Sequence, residues 1–415
     1  MPRLILYFSI TLFVAMWWLL AFGYFAPISK SFDKTTTVNP TKLNSIILND
    51  LPPIDRQLIH NALSGNVSDM LKCITQWENE AQFLLKLGIR GVHLLMPSDY
   101  LQAIVLANFL NDTSVEQVRK FNKMYIARSI VDDLGVLCPV DNLEEPHFLP
   151  QTYSAASFLL AIAPAHEILA IPGGLRNLTQ LYDSIDLHCI SHDTEELYGD
   201  KLFMAKPTLA FIAPYSNPAT IAALQQHKIH CYTLNYANTL EEIKHSLLKI
   251  GLASGHPLEA QLLALFMEAA FCFIDNRFCV LQQAWRSDNN LKALYLQEHH
   301  HHALPTTFSL PGQLMQRASL YFSALSCPIS ISIDQCYEPY AQEKIALSDP
   351  QCILLATYSN NNLQNNRPVN SLLQQSNAYR NDKIFYLEEA IQTSPTQYIV
   401  LAYLDIFNAL NKACQ

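Results

Sequence analysis

The sequence predicts an α/β protein. Two Rossmann-like lobes with parallel sheets are joined by a long helix, preceded by an N-terminal membrane segment and an extra helical region. Three observations carry this. From residue 147 to about 412, short apolar runs alternate with helical patterns. The alternation occurs once, is interrupted by the long apolar stretch 258–285, and resumes. The first 26 residues contain one uncharged apolar run. Strands alternating with helices imply parallel sheets, whose ligands bind beyond the strands' carboxyl ends.

Composition narrows the class. A chain of 415 residues, half of them apolar, can bury two or three cores. The net charge is -9, and no basic run exceeds two residues. Nucleic acid is therefore excluded as a partner, since neutralising phosphates needs clustered Lys and Arg. With 11 glycines and neither a G-x-G-x-x-G nor a Walker motif, a nucleotide cradle is disfavoured. No serine-hydrolase elbow or H-E-x-x-H pattern is present, so the chain reads as a non-enzyme.

Residues 1–28 read as a signal peptide or membrane anchor. The run 4–26 has no charge, follows Arg3 and precedes Lys30. About 20 apolar residues suffice to span a bilayer, and a signal core is shorter. Both outcomes put the body in the periplasm, secreted or tethered to the inner membrane. Residues 29–53 form a polar linker with Pro40, Pro52 and Pro53.

Residues 54–145 form the additional helical region. Apolar positions at helical spacing predict helices at 54–63, 67–87, 100–110 and 115–134. Residues 146–257 form the N-terminal lobe. Its strands fall near 147–150, 207–213 and 229–234, and its helices at 155–163, 194–198, 219–226 and 239–250. The inter-lobe helix, 258–286, is apolar nearly all round, as a helix buried on several sides must be. His256 and Glu259 at its start read as capping and dipole residues. Asp275, Asn276 and Arg277 interrupt it and are expected to bond both lobes. The C-terminal lobe, 287–415, has strands near 291–296, 329–333, 352–357 and 382–387, and helices at 310–322, 340–347 and 395–410.

Four stretches in order resemble the periplasmic substrate-binding proteins of ATP-driven importers for iron–siderophore, haem and cobalamin. Phe148-Leu149-Pro150-Gln151-Thr152-Tyr153 stands where that family has its opening strand and first cleft loop. Glu195-Glu196-Leu197 with Lys206-Pro207-Thr208-Leu209 resembles its next step, Thr208 replacing the usual Asp. Thr239-Leu240-Glu241-Glu242-Ile243 and Ser348-Asp349-Pro350-Gln351-Cys352 resemble a helix start and a second-lobe strand. The resemblance spans 147–412, omits 41–145, and lacks the family's lipid-anchor cysteine. It implies an exported protein that holds a metal chelate between the lobes and delivers it to an inner-membrane ABC permease. No intrinsic cofactor is implied; the bound ligand would be an iron chelate, haem or cobalamin.

On that map the ligand-binding candidates are Tyr153, Arg176 in the 173–176 loop, Tyr215, Ser216 and Tyr358. Tyrosines offer flat faces for a large chelate, and Arg176 a planar fork for a carboxylate or phosphate. His299, His300, His301 and His302 are the metal candidates, imidazole being a common transition-metal ligand. Adjacent histidines cannot all aim at one ion, so a solvated loop is the competing reading. His188, His192 and Asp193 have loose metal spacing but read as surface. Glu167 and Glu338 are candidate surface acids for docking to the permease. The ten cysteines form no C-x-x-C pair and read mostly as buried thiols, with Cys327 and Cys336 a possible disulfide. Two alternatives stay open. One is a membrane-tethered sensor or partner-binding protein using 41–145. The other is a cofactor-handling protein with a nitrogenase-like fold.

Overall fold

The structure, a computed structural model, describes residues 51–125, 129–140, 146–179, 181–182, 187–197, 200–285, 290–298, 303–329, 337–338, 347–358 and 373–415. All lie in one compact unit, 47–415; residues 1–46 form a separate unit outside the described residues. The predicted membrane segment, the histidine run, Cys336 and the 340–347 helix thus fall outside the description.

The chain opens with four helices: α1 (Arg56–Leu63), α2 (Val67–Lys86), α3 (Pro97–Asp112) and α4 (Val115–Tyr125). Asp55 and Asn66 cap the first two, accepting from the backbone N–H of Leu58 and Asp69. The expected helix 115–134 stops early. In its place after Tyr125 stands a hairpin of β1 (Ser129–Val131) and β2 (Leu137–Pro139). Asp132 makes the turn, its Oδ1 accepting from Leu134 and Val136 N–H at 3.0 and 2.8 Å, with Gly135 at φ 80°. A side chain that ties down two backbone donors two and four residues on outcompetes helix continuation.

The N-terminal lobe contains β3 (Phe148–Pro150), α5 (Tyr153–Ile162), β4 (Ala170–Ile171), β5 (His192–Asp193), α6 (Asp200–Ala205), β6 (Leu209–Ile212), α7 (Pro218–Gln226), β7 (His230–Thr233) and α8 (Leu240–Ser254). Strands β3, β6 and β7 pair in that order, all parallel. β4 pairs parallel with β5 and touches β3 through a bridge from Ile168 to Phe148. Thr208 anchors the β3–β6 pairing: its hydroxyl accepts from His147 N–H at 2.9 Å and donates to His147 C=O at 3.1 Å. α8 begins with a full capping box, Thr239 with Glu242. The expected helix at 194–198 is a single 3-10 turn, Thr194–Glu196.

The long helix α9 (Pro257–Ala284) leads to β8 (Leu291–Gln297), β9 (Leu304–Pro305), α10 (Leu310–Tyr321), β10 (Leu325–Ser326), β11 (Tyr337–Glu338), β12 (Cys352–Thr357), α11 (Asn377–Arg380), β13 (Ile384–Glu388), α12 (Glu389–Gln392) and α13 (Ile399–Ala413). The second sheet has the order β10-β8-β12-β13, all parallel. β12 is buried at all six positions, as an inner strand covered on both faces must be. Its outer strand β10 lies at 325–326; the expected strand 329–333 falls, past Ile329, outside the described residues. β9 and β11 form a small antiparallel pair.

α9 is long and apolar enough to cross a membrane, yet 72% of its most apolar window is buried within the protein. Trp77 of α2 stacks on its Phe273 at 4.9 Å, and Phe407 of α13 meets its Phe278 edge-on at 5.0 Å. Three successive polar residues face three neighbours, because each step turns about 100° round a helix. Asp275 takes a bidentate contact from Arg317 of α10 and a 2.8 Å bond from Tyr403 of α13. The Asn276 amide bonds the backbone of His93. Arg277 pairs with Glu80 of α2 at 2.6 and 2.7 Å. The expectation that this triplet bonds both lobes is corrected: it bonds the C-terminal lobe and the additional helices.

Candidate functional site

Ligands of parallel α/β sheets bind beyond the strands' carboxyl ends, so the candidate site is sought there in both sheets. On the N-terminal lobe, Tyr153, Tyr215 and Tyr236 are each the third residue beyond a strand, 150 to 153, 212 to 215 and 233 to 236. Those strands are neighbours in the order β3-β6-β7. Parallel neighbours lie about 4.8 Å apart, so the three tyrosines form a row along the rim. Their exposures of 50, 68 and 50% set them apart from the buried rings Phe148, Phe211 and Tyr232 beneath. Tyr358 directly follows β12 on the other lobe and is 59% exposed. Phe308, just beyond β9, is 45% exposed. The lobes touch at one end of this row, where Gln313 in the first turn of α10 donates to Asn238 C=O at 2.5 Å.

Local chemistry fixes each position. Thr152 caps α5 through Ala155 N–H, which starts the helix at Tyr153. The Tyr153 hydroxyl lies over Gly174, where a Cβ would come within 1.9 Å of it. Gly173 donates its N–H to Glu195 at 3.0 Å, and a Cβ there would meet Asp193 at 2.7 Å. The only Gly pair of the chain is thus needed for close approach, and it joins the loops after β3, β4 and β5. Ser216 closes the turn after β6: its hydroxyl accepts from Ala213 N–H at 2.9 Å, and its N–H returns to Ala213 C=O.

Arg176 is placed differently from expectation. Its guanidinium turns into the lobe, bonding Asp193 at 2.7 Å and the carbonyls of Leu187 and Ile190 at 2.8 and 2.7 Å. Nε, Nη1 and Nη2 all serve the fold, so the fork holds the β5 segment rather than an anionic ligand. Asp193 is thus engaged by Arg176, and His192 lies 4.0 Å from Glu196.

The second lobe supplies a group the sequence reading missed. Gln297 at the end of β8 donates its amide to Glu389, which is buried directly after β13. Burial raises the pKa of Glu388, and the neighbouring Glu389 adds to it. Burial, and then Glu389, also raise that of Tyr358. Two adjacent acids at the end of a strand were the available signal: the run Ile384-Phe385-Tyr386-Leu387-Glu388-Glu389 turns from apolar to acidic there.

No family model matches the chain, and no curated protein matches it. Solved structures do. The molybdate periplasmic binding protein MolA of Haemophilus influenzae is 12% identical, with a TM-score of 0.51 over 69% of this chain and 92% of its own. The periplasmic haem-binding protein HutB of Vibrio cholerae is 17% identical, with a TM-score of 0.49 over 64% and 98%. A periplasmic solute-binding protein of Veillonella parvula is 15% identical, with a TM-score of 0.49 over 66% and 83%. This chain has the fold of the periplasmic solute-binding proteins.

In a fold of this kind the rim charges matter. Among the described residues, the strand ends carry Glu195, Glu298 and Glu388, with Glu389 buried behind them, while Arg176 is already bonded within its lobe. No group of three or more His, Cys, Asp or Glu among the described residues is placed to hold a bare ion. Two other expectations are corrected. Glu167 is 1% exposed and bonded to His256 and Arg119, so it is not a surface docking acid. His256 makes no side-chain capping bond to α9; its ring pairs with Glu167 instead. Every described cysteine is a free thiol, and burial pushes Cys73 and Cys272 up to about 12, which leaves them unreactive.

Proposed function

We propose that this chain is the binding component of an ABC importer and holds a metal chelate between its lobes. Haem, a ferric siderophore and cobalamin are the ligand classes of this reading, and the partner is an inner-membrane permease. The row Tyr153, Tyr215 and Tyr236, together with Tyr358 after β12 of the other lobe, carries it. Four half-exposed phenol rings near strand ends provide flat, polarisable area for a large ring or aromatic chelate. The acidic rim supports a cationic centre over an oxyanion. His299, His300, His301 and His302 directly follow the β8 end of the same rim in sequence and are proposed as metal contacts. In this reading Ser216 donates its remaining hydroxyl proton to the ligand, and residues 1–28 place the body outside the cytoplasm.

The test is thermal unfolding of the full-length chain with haem, ferric siderophores and cobalamin. A ligand at 100 times its Kd stabilises by about 2.7 kcal/mol, a visible shift. Replacing Tyr215 by Ala should weaken that ligand by several-fold, in line with ~0.5–1.5 kcal/mol for a ring contact. A chain that no chelate stabilises would leave the import reading without support.

A second reading, a partner-binding protein, is favoured by one observation. Leu101, Val105 and Phe109 share a face of α3, Phe109 meets Phe121 of α4 at 5.1 Å, and Met124 continues the strip. Leu101, Val105, Phe121 and Met124 are 46, 57, 44 and 69% exposed.

A further inference from the structure

A cavity of about 360 Å³ lies where the additional helices meet the N-terminal lobe. It is remote from the cleft. Tyr153 at the start of α5 stands at the cleft, whereas Leu160, Ala161 and Ile162 at its end line the cavity. Seven to nine residues of helix separate the two by about 10–14 Å. The other walls come from the start of α2, from α4, and from the first turn of α9.

Its chemistry is divided. Val67, Met70, Val118, Leu160, Ile162 and Leu262 form an apolar wall. Arg119, Lys123, Asn122, Glu167, His256 and Glu259 form a polar end. Both carboxylates there are already engaged. Glu167 accepts from Arg119 at 2.8 Å and is bonded to His256 at 2.7 Å; Glu259 accepts from the Asn122 amide at 3.2 and 2.9 Å. Burial disfavours the His256 cation, but Glu167 and Glu259 outweigh it and raise the ring's pKa to about 9. At neutral pH three cations, Arg119, Lys123 and His256, therefore face two carboxylates, a surplus of one positive charge. Lys123 lies one helical turn beyond Arg119 and makes no ion pair among the described residues.

We propose that this cavity binds a single-chain amphiphilic anion, its apolar tail against α2, α5 and α9 and its head group at Lys123 and Arg119. The volume sets the size. At 360 Å³ it falls within the ~300–1,000 Å³ of small-molecule pockets, room for a medium-length chain such as a ten-carbon carboxylate. The site is built by the additional helices, and it does not depend on what the cleft carries.

The experiment titrates decanoate, decanol and acetate into the full-length chain, reading affinity by calorimetry and location by hydrogen exchange. Decanoate should bind, and protect amides within 115–123 and 158–167. Decanol should bind about tenfold more weakly and acetate not measurably, as one charge-assisted hydrogen bond and one apolar tail require. Lys123→Glu, at an exposed position, should keep the fold and lose decanoate by a similar factor while leaving decanol unchanged. Equal binding of decanoate and decanol, indifference to Lys123→Glu, or protection elsewhere would each overturn the proposal.

Discussion

His256 is a histidine held charged by its surroundings. It is nine-tenths buried, which alone would favour the neutral ring, yet Glu167 at 2.7 Å and Glu259 at 3.8 Å raise its pKa from 6.5 to about 9. The sign follows from linkage: a group whose folded pKa is raised stabilises the protein fully below its unfolded value. That contribution is whole below 6.5 and is lost as the pH rises through about 9. The shift corresponds to roughly 3 kcal/mol at 1.36 kcal/mol per unit. Glu167 moves oppositely: burial pushes it up, but His256 and Arg119 together hold it below 4.5, so its contribution fails only in acid. Chemical denaturation of the wild type and of His256→Asn should therefore differ most near pH 6 and converge above pH 9, by roughly 3 kcal/mol. A difference that stays constant across that range would mean the ring is neutral in the fold. Nothing local announces this charge. His256 sits beside Pro257 at a helix start, where capping is the economical reading, and its main partner is 89 residues away. Arg176 taught the opposite lesson. Its place in a loop after a strand was legible, but the carbonyls of Leu187 and Ile190 that occupy it were not, because backbone acceptors leave no mark in the side-chain pattern.

Glycines with positive φ separate two causes of strain at the level of elements. Gly65 ends α1 at φ 98°, and a Cβ there would sit 2.1 Å from the carbonyl oxygen of Ala161 at the end of α5. Gly135 in the β1–β2 turn has φ 80°, but open space around it. Both substitutions to Ala should cost ~1–2 kcal/mol for the left-handed backbone. Gly65→Ala should cost a further ~1–3 kcal/mol, since two backbones must separate. Denaturant midpoints for the two variants check this, and equal losses would mean that α1 yields freely against α5. Helix 67–87 was legible because its apolar positions recur with helical spacing after the entry signal Ser68-Asp69; the structure caps it with Asn66 and ends it one residue earlier, at Lys86. The hairpin was not legible. Ile130, Val131 and Leu134 continue the apolar rhythm of α4, and only the bonding of Asp132 with the turn at Gly135 breaks it. β4 and β5, at two residues each, are too short for any periodicity to register. The aromatic row was half legible: Tyr153 and Tyr215 followed from their strands, whereas Tyr236 needed the sheet order that places β7 beside β6.

At the scale of the molecule, the additional helices belong to the body rather than standing beside it. The alternation of strands and helices revealed two lobes and the long helix between them. It could not reveal where residues 54–125 go, since periodicity shows which face is apolar and not what that face meets. The structure supplies the contacts: Trp77 stacks on Phe273, Arg56 pairs with Asp405 of α13, and Arg277 pairs with Glu80 across 197 positions. Both members of the last pair are nearly buried, with side chains 9 and 5% exposed. Removing one partner of such a pair leaves a buried charge and costs ~3–5 kcal/mol. Because α2 covers one side of α9 while α13 and α10 cover others, none of these helices can leave without exposing the same aromatic core. The described body should therefore unfold as one unit. Denaturant unfolding of the full-length chain should show one main transition, with amides of α2 and α9 exchanging at the same opening free energy. Glu80→Ala should lower both together by ~3–5 kcal/mol. If α2 exchanges well before α9, or if Glu80→Ala weakens α2 alone, the helices are a detachable cover. The cavity they close against the N-terminal lobe would then open without unfolding the rest of the body.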